Sequence, residues 1–266
     1  MILCSTRIFA NLFVLMKRTP PFKFFSQRKK TVSEYSIPRL IWIYWHDGWD
    51  EAPEVIRYCS ESWVGKNCRW VVAKHDYQSI CLEFPELRDI NTKRKAHFAD
   101  IVRLKLLRRY GGVWVDATVL CAESLDRWLP MFNIGSPFFV FSSPGPDRYI
   151  ASWLIAANKE SRIIKKWEDA CVRHFSSRWT YQTYYSVHYL FDWLFKTHLS
   201  VRGEFRAMAK VSALGPLTLE RAAQKSFVNS AEADVIRSSP IHKLSRKSGV
   251  CAARYEEVLR QVADGA

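Results

Sequence analysis

An open α/β sheet of nucleotide-binding type, mixed but mainly parallel, is what this 266-residue sequence predicts. Strand-like and helix-like patterns alternate from Ile37 onward. A long apolar helix then stops at Gly111-Gly112 and gives way to a short strand ending at a carboxylate. Apolar content of 48% with 14% aromatics is that of a folded chain, long enough to bury a substantial core.

Residues 1–36 form a basic amphipathic segment. Ile8 to Met16 is apolar apart from Asn11, which is too short a run to span a bilayer. Basic residues follow where a signal peptide would carry a small-residue cleavage site. Beside Arg7, Lys17, Arg18, Lys23 and Arg28, the run suits a helix lying on an anionic membrane surface. A frayed terminus with solvated charges is the alternative.

The folded domain is expected over residues 37–250, with a helical tail over 251–266. Arg39 to Trp45 reads as a buried strand, rich in Ile, Trp and Tyr, and Asp47-Gly48 turns the chain. Pro53 to Trp63 reads as a helix with proline at its start. Trp70 to Ala73 is a second strand, and Asp76 opens a short helix.

The central stretch is Thr92 to Leu120. From Ala96 to Tyr110 apolar residues surround most of the helix, as in a buried one. Asp100 and Arg103 fall side by side on it, as an internal ion pair or as ligand contacts. Beyond the glycines, Trp114, Asp116 and Thr118 share one side of the strand if the strand runs that far. Asp116 at such an end is either a cap or a ligand group.

Ser124 to Leu129 is expected as a helix, Phe138 to Phe141 as a strand and Ser142 to Asp147 as a loop. Ala151 to Ala156 is a further strand, and Asn158 caps a helix over 159–175. The aromatic stretch Tyr181 to His198 places His188 and Asp192 one turn apart, favouring a hydrogen-bonded core pair over a metal or acid–base pair. Its rings could also floor an acceptor site. A helix over 217–227 precedes Ser239-Pro240-Ile241-His242-Lys243-Leu244.

The formal charge of +14 favours an anionic partner: a membrane leaflet, a phosphorylated ligand or nucleic acid. No nucleic-acid-binding motif accompanies it, and acids in the expected cleft oppose nucleic acid. Seven scattered cysteines without C-x-x-C spacing suggest reduced thiols in a cytoplasm, and no zinc site.

The run A-x-x-A-D-x-x-R-x-x-x-L-x-x-Y-G-G-V-W-x-D-A-T, Ala96 to Thr118, resembles the capsular polysaccharide synthesis proteins. These are bacterial glycosyltransferases related to the sugar transferases that carry a DXD motif, akin to glycosyltransferase family 32. The resemblance implies a single GT-A-like domain that transfers a hexose, with retention, from a nucleotide sugar. The acceptor would be a glycan or lipid-linked oligosaccharide at the inner face of the cell membrane. Asp100 and Arg103 would contact the donor's sugar and ribose, forming the catalytic set with Asp116. Asp116 would be the first Asp of DXD, holding Mn2+ or Mg2+ on the diphosphate. Thr118 stands where the second Asp would be, as is common in the capsular group; it would aid the metal through water and leaves it fewer charges. Ile37 to Gly48 resembles the relatives' first strand, so Trp45 would stack on the base, with an ordinary core position as the alternative. His242 would add a metal ligand and Lys243 a diphosphate contact. A non-catalytic sugar- or membrane-binding relative, kept open by Thr118, is the main alternative.

Overall fold

The computed structural model describes residues 35–177 and 179–264, so the expected membrane-surface helix lies outside the described residues. Among the described residues no helix is long and apolar enough to cross a membrane.

The chain enters through β1 (Leu40–Tyr44), α1 (Glu54–Lys66), β2 (Val71–His75) and α2 (Tyr77–Glu83). It continues through the central helix α3 (Lys95–Tyr110) into β3 (Gly112–Asp116) and β4 (Val119–Cys121), then α4 (Leu125–Phe132). The hairpin β5 (Phe138–Gly145) and β6 (Arg148–Ala157) follows, then α5 (Arg162–Ser176), α6 (Ser186–Thr197) and α7 (Leu199–Ala207). The last part holds α8 (Thr218–Ala223), α9 (Ser230–Ser238), β7 (Ile241–Lys243) and α10 (Ala252–Asp264).

The main sheet has the order β2-β1-β3-β6-β5. β1 runs parallel to β2 and β3, while β6 is antiparallel to both β3 and β5. Only β6 is therefore reversed, and the mixed, mainly parallel sheet is as expected. Tyr44 lies opposite Asp116 in register, so β1 and β3 deliver their last residues to the same sheet end. That end is where open α/β sheets bind ligands.

The Gly-Gly pair does more than stop a helix. Gly111 has φ 69° and Gly112 φ 99°, backbone that L side chains rarely adopt. A Cβ on Gly112 would stand 2.5 Å from the Leu40 carbonyl oxygen. Trp42 Nε1 also donates to the Gly111 carbonyl at 2.8 Å. The glycines thus let β1 press against the junction and fix where β3 starts.

A second, two-stranded sheet pairs β4 with β7 antiparallel, with Val119 opposite Lys243. Trp63 in α1 donates to the Val119 carbonyl at 2.7 Å. A satellite core gathers Val55 and Cys59 of α1, Leu120, Leu219 of α8, Ile236 of α9, and Tyr255 and Val258 of α10. The C-terminal helix packs on the fold through these residues.

Several expectations need correction. β3 ends at Asp116, and Ala117-Thr118 form a turn, so Thr118 does not continue the strand. Ser142 to Gly145 belongs to β5, which leaves only Pro146-Asp147 as the hairpin turn. Ser161, rather than Asn158, caps α5, accepting the Ile164 N–H at 3.2 Å. A separate helix, α9, with an Asn229–Glu232 capping box, intervenes before β7.

Candidate active site

Asp100, Arg103 and Asp116 meet at one point. Arg103 Nη2 lies 2.9 Å from Asp100 Oδ1 and 3.3 Å from Asp116 Oδ1. Its Nη1 donates to the Ser152 carbonyl of β6 at 2.7 Å, and its guanidinium lies 5.2 Å from the Trp114 ring. Trp114 Nε1 donates to Asp116 Oδ1 at 3.0 Å, so the strand's period of two places indole and acid on one side. The side chains of Asp100 and Arg103 are 8% and 5% exposed, against 29% for Asp116. One arginine thus ties a buried acid to an acid that solvent can reach. Burial pushes the Asp100 carboxyl up to about 7, against the pull of Arg103 and with a push from Asp116.

Lys243 arrives from the other sheet. Its ammonium donates to the Thr118 hydroxyl and, at 3.2 Å, to the Leu244 carbonyl. The Leu244 N–H donates to the Thr118 carbonyl at 2.9 Å, pinning β7 to the turn after β3. Burial lowers the Lys243 pKa and Asp116 acts to raise it, which places the ammonium in the field of the acid.

His242 is not brought to the acids. It is fully buried, neither ring nitrogen has a partner among the described residues, and burial alone pushes it down to about 4. Successive residues of a strand face opposite sides, so seating Lys243 at Thr118 turns His242 away. No carboxylate acts on its imidazole, and the expected metal ligand has no geometric support. Trp45 leaves β1 at the same sheet end as Asp116, half-buried, with the Arg246 guanidinium 5.7 Å from its ring centre.

The opposite wall is α6 with the segment leading into it. His97 of α3 bonds the Thr183 carbonyl at 3.0 Å, and Gln182 bonds Asn91 and Lys93 at 3.1 and 3.2 Å. These ties hold Tyr184 and Tyr185 across from α3. The Tyr184 hydroxyl is raised by burial, then by Asp116 and Asp100. His188 and Asp192 do not form the expected hydrogen-bonded pair: among the described residues His188 Nδ1 and Asp192 Oδ1 are both unpartnered. His188 instead feels Arg103, Arg148 and Asp116, with burial first among the causes that push it down to about 3. Nothing in the sequence pattern distinguished this position from a core histidine. A cavity of about 590 Å³ lies against α5 and α6, lined by Lys166, Arg173, His174, Leu190, Trp193 and His198 among others. It adjoins none of the three clustered charges.

The sequence profile of the capsular polysaccharide synthesis protein family matches residues 17–261. The chain belongs to that family. Glycosyltransferase afumC of Aspergillus fumigatus is 28% identical over 164 residues, 54% of this chain and 42% of its own length. O-glycosyltransferase PaGT of Phomopsis amygdali is 25% identical over 162 residues, 53% of this chain and 39% of its own. This family member therefore spans about two fifths of the length of these relatives. Both are fungal, whereas the sequence resemblance pointed to bacterial enzymes. Among solved structures, the PaToxG glycosyltransferase overlays 76% of this chain and 84% of its own at TM-score 0.44 and 15% identity. The galactosyltransferase LgtC with donor and acceptor sugar analogs overlays 85% and 95% at TM-score 0.41 and 11% identity.

Whether these residues suit a divalent cation depends on what is left to bind it. Asp116 Oδ1 already holds Arg103 and Trp114, and Lys243 takes the Thr118 hydroxyl. Among the described residues no group of three or more His, Cys, Asp or Glu could hold a metal. That set fits a cation bound in the magnesium manner, through one carboxylate with the remaining ligands from a diphosphate and water. It does not fit a cation caged by protein alone.

Proposed function

We propose that this family member is a GT-A-like glycosyltransferase that moves a hexose from a nucleoside-diphosphate sugar to a glycan or lipid-linked acceptor. The observation that carries the reading is the joined network of Asp100, Arg103 and Asp116, with Lys243 beside it, at the carboxyl end of β1 and β3. The family supports the class, and the fungal relatives are themselves named as glycosyltransferases.

The chemical problem is to break the bond between an anomeric carbon and a diphosphate, whose oxygens gain charge as it leaves. Lys243 supplies a fixed ammonium, already aimed at the turn after β3, for a phosphate oxygen. Arg103 is held by Asp100, Asp116 and the Ser152 and Ala99 carbonyls, so its one remaining N–H and the Asp100 carboxyl can orient sugar hydroxyls with little reorganisation. Trp45 offers a ring face for the base in place of the Arg246 guanidinium. Asp116 would hold Mg2+ or Mn2+, which supplies charge neutralisation on the leaving diphosphate. Retention of configuration, a surface-polysaccharide acceptor and a membrane-side location are carried over from the resemblance. The net charge of +14 supports the last.

The test is a panel of UDP- and GDP-sugars, with and without manganese, followed by hydrolysis and transfer assays. One donor turned over in a manganese-stimulated reaction is the expected result. Binding of nucleic acid with steep salt dependence, and of no nucleotide sugar, would remove the assignment.

A further inference from the structure

Glu220 of α8 is a buried carboxylate seated by three neutral donors. The Ser245 N–H donates to its Oε2 at 2.9 Å, and the hydroxyl of Tyr255, fully buried in α10, donates to the same oxygen at 2.6 Å. Gln224 Nε2 donates to Oε1 at 2.7 Å. A carboxylate accepts all three on its two oxygens, and its charge strengthens each bond. Burying a charge is costly, and what this one holds is a peptide group rather than a cation.

That peptide is the one on which Lys243 rests. The Leu244 carbonyl and the Ser245 N–H belong to a single planar unit, so fixing the N–H fixes the carbonyl. Lys243 Nζ donates to the Leu244 carbonyl at 3.2 Å and to the Thr118 hydroxyl. Ammonium and carboxylate therefore pull on opposite ends of one peptide, each strengthening the other's hydrogen bond. A direct ion pair would have covered the ammonium with an acid. Through the peptide, one of its three donors stays open beside the turn after β3. The same anchor shapes the loop beyond. Ser248 Oγ donates to the Ser245 carbonyl at 2.8 Å and lies 3.4 Å from the Tyr255 hydroxyl. Between the two serines stands Arg246, whose guanidinium lies 5.7 Å from the Trp45 ring centre.

We infer that Glu220 is a positioning residue for the diphosphate: by holding the Leu244–Ser245 peptide, it sets where the Lys243 ammonium meets a phosphate oxygen. The inference deepens the transferase reading and rests on it for the diphosphate. The test is titration calorimetry on the full chain with UDP and uridine, and with GDP and guanosine. The ratio of diphosphate to nucleoside affinity isolates what the phosphates contribute, and a role in packing alone would lower Tm without moving it. Glu220→Leu should lower that ratio about tenfold, as Lys243→Met does, and should lower it no further in a Lys243→Met background, since the two residues act as one unit. Glu220→Gln, which keeps an oxygen for the Ser245 N–H, should recover most of the loss. Should Glu220→Leu fail to fold, Tyr255→Phe takes its place: it removes one donor, keeps the ring, and should lower the ratio about threefold, only while Lys243 is present. A native ratio in folded Glu220→Leu, or in Tyr255→Phe where that variant is needed, would overturn the inference. So would losses that add to those of Lys243→Met, or no recovery with Glu220→Gln. A native chain that binds UDP and GDP no more tightly than the nucleosides would sink the transferase reading itself, and this inference with it.

Discussion

The two walls facing the carboxyl end of the sheet are built on opposite terms. On the α3–β3 wall each named charge has a protein partner: Asp100 and Asp116 share Arg103, Arg103 also holds Ser152, and Lys243 holds Thr118. On the α6 wall His188 and Asp192 each keep a buried atom without one among the described residues. A wall with internal pairs is rigid before any ligand arrives, as electrostatic stabilisation of a leaving diphosphate requires. A wall with orphans has no such internal lock. The difference puts the fixed charges of the site on one side of the sheet end.

Replacing the arginine that joins the first wall should have the largest effect on the fold. Arg103→Met leaves Asp100 buried beside Asp116 with no cation, a loss of about 3–5 kcal/mol, or on the order of 10 °C in Tm. A drop of only a degree or two in calorimetry would mean that the network is not a unit. Lys243→Met should act on ligand rather than fold. Affinity for a nucleoside diphosphate, read by titration calorimetry, should fall roughly tenfold or more, the worth of a charge-assisted hydrogen bond.

Manganese sharpens the same contrast. Titrated alone, it should show no saturable binding at micromolar concentrations, and it should bind once UDP or GDP is present, since among the described residues no group of three or more acids, histidines or cysteines could hold it without a diphosphate. Tight binding of the free ion would point to a ligand set that the α3–β3 wall does not contain.

The last effect is confined to one window of pH. In the unfolded chain Asp100 titrates in the ordinary carboxylate range, near 4; in the folded chain burial holds it up to about 7. Between those values the folded state keeps a proton that the unfolded state releases, so this group's contribution falls as pH rises from about 4 to 7. Asp100→Asn should flatten that part of the Tm-versus-pH curve. An unchanged slope would show that Arg103 keeps the carboxyl ionised throughout.

The first wall was legible in the sequence because it is local. Asp100 and Arg103 lie on one helix, Gly111 and Gly112 fix the reversal, and Asp116 follows after one short strand, so spacing along the chain became spacing in space. Thr118 shows where that logic stops: alternation carried it onto the strand, whereas the chain turns at Ala117 to start β4. What seats its hydroxyl is Lys243, 125 residues away, and no local pattern encodes that contact. The same pairing of β4 with β7 decides that Lys243 faces Thr118 and His242 does not, which a His-Lys-Leu string read as one element could not separate. His188 and Asp192 had the right spacing for a pair, but their environment is set by Arg103, Arg148 and Asp147 from other elements, which spacing on one helix does not encode. Helix α9 was hidden by short, polar composition, although its Asn229–Glu232 capping box was there to read.

Asp116 is the acid on which the proposed chemistry turns, and one substitution isolates it. Asp116→Asn keeps an oxygen for Trp114 Nε1 and Arg103, so the chain should remain folded with a near-native Tm. With the preferred nucleotide sugar and manganese, donor turnover should fall by at least about 100-fold, the scale on which removing one stabilising group from a leaving charge is felt. Manganese-stimulated turnover at the native rate in that variant would contradict the account.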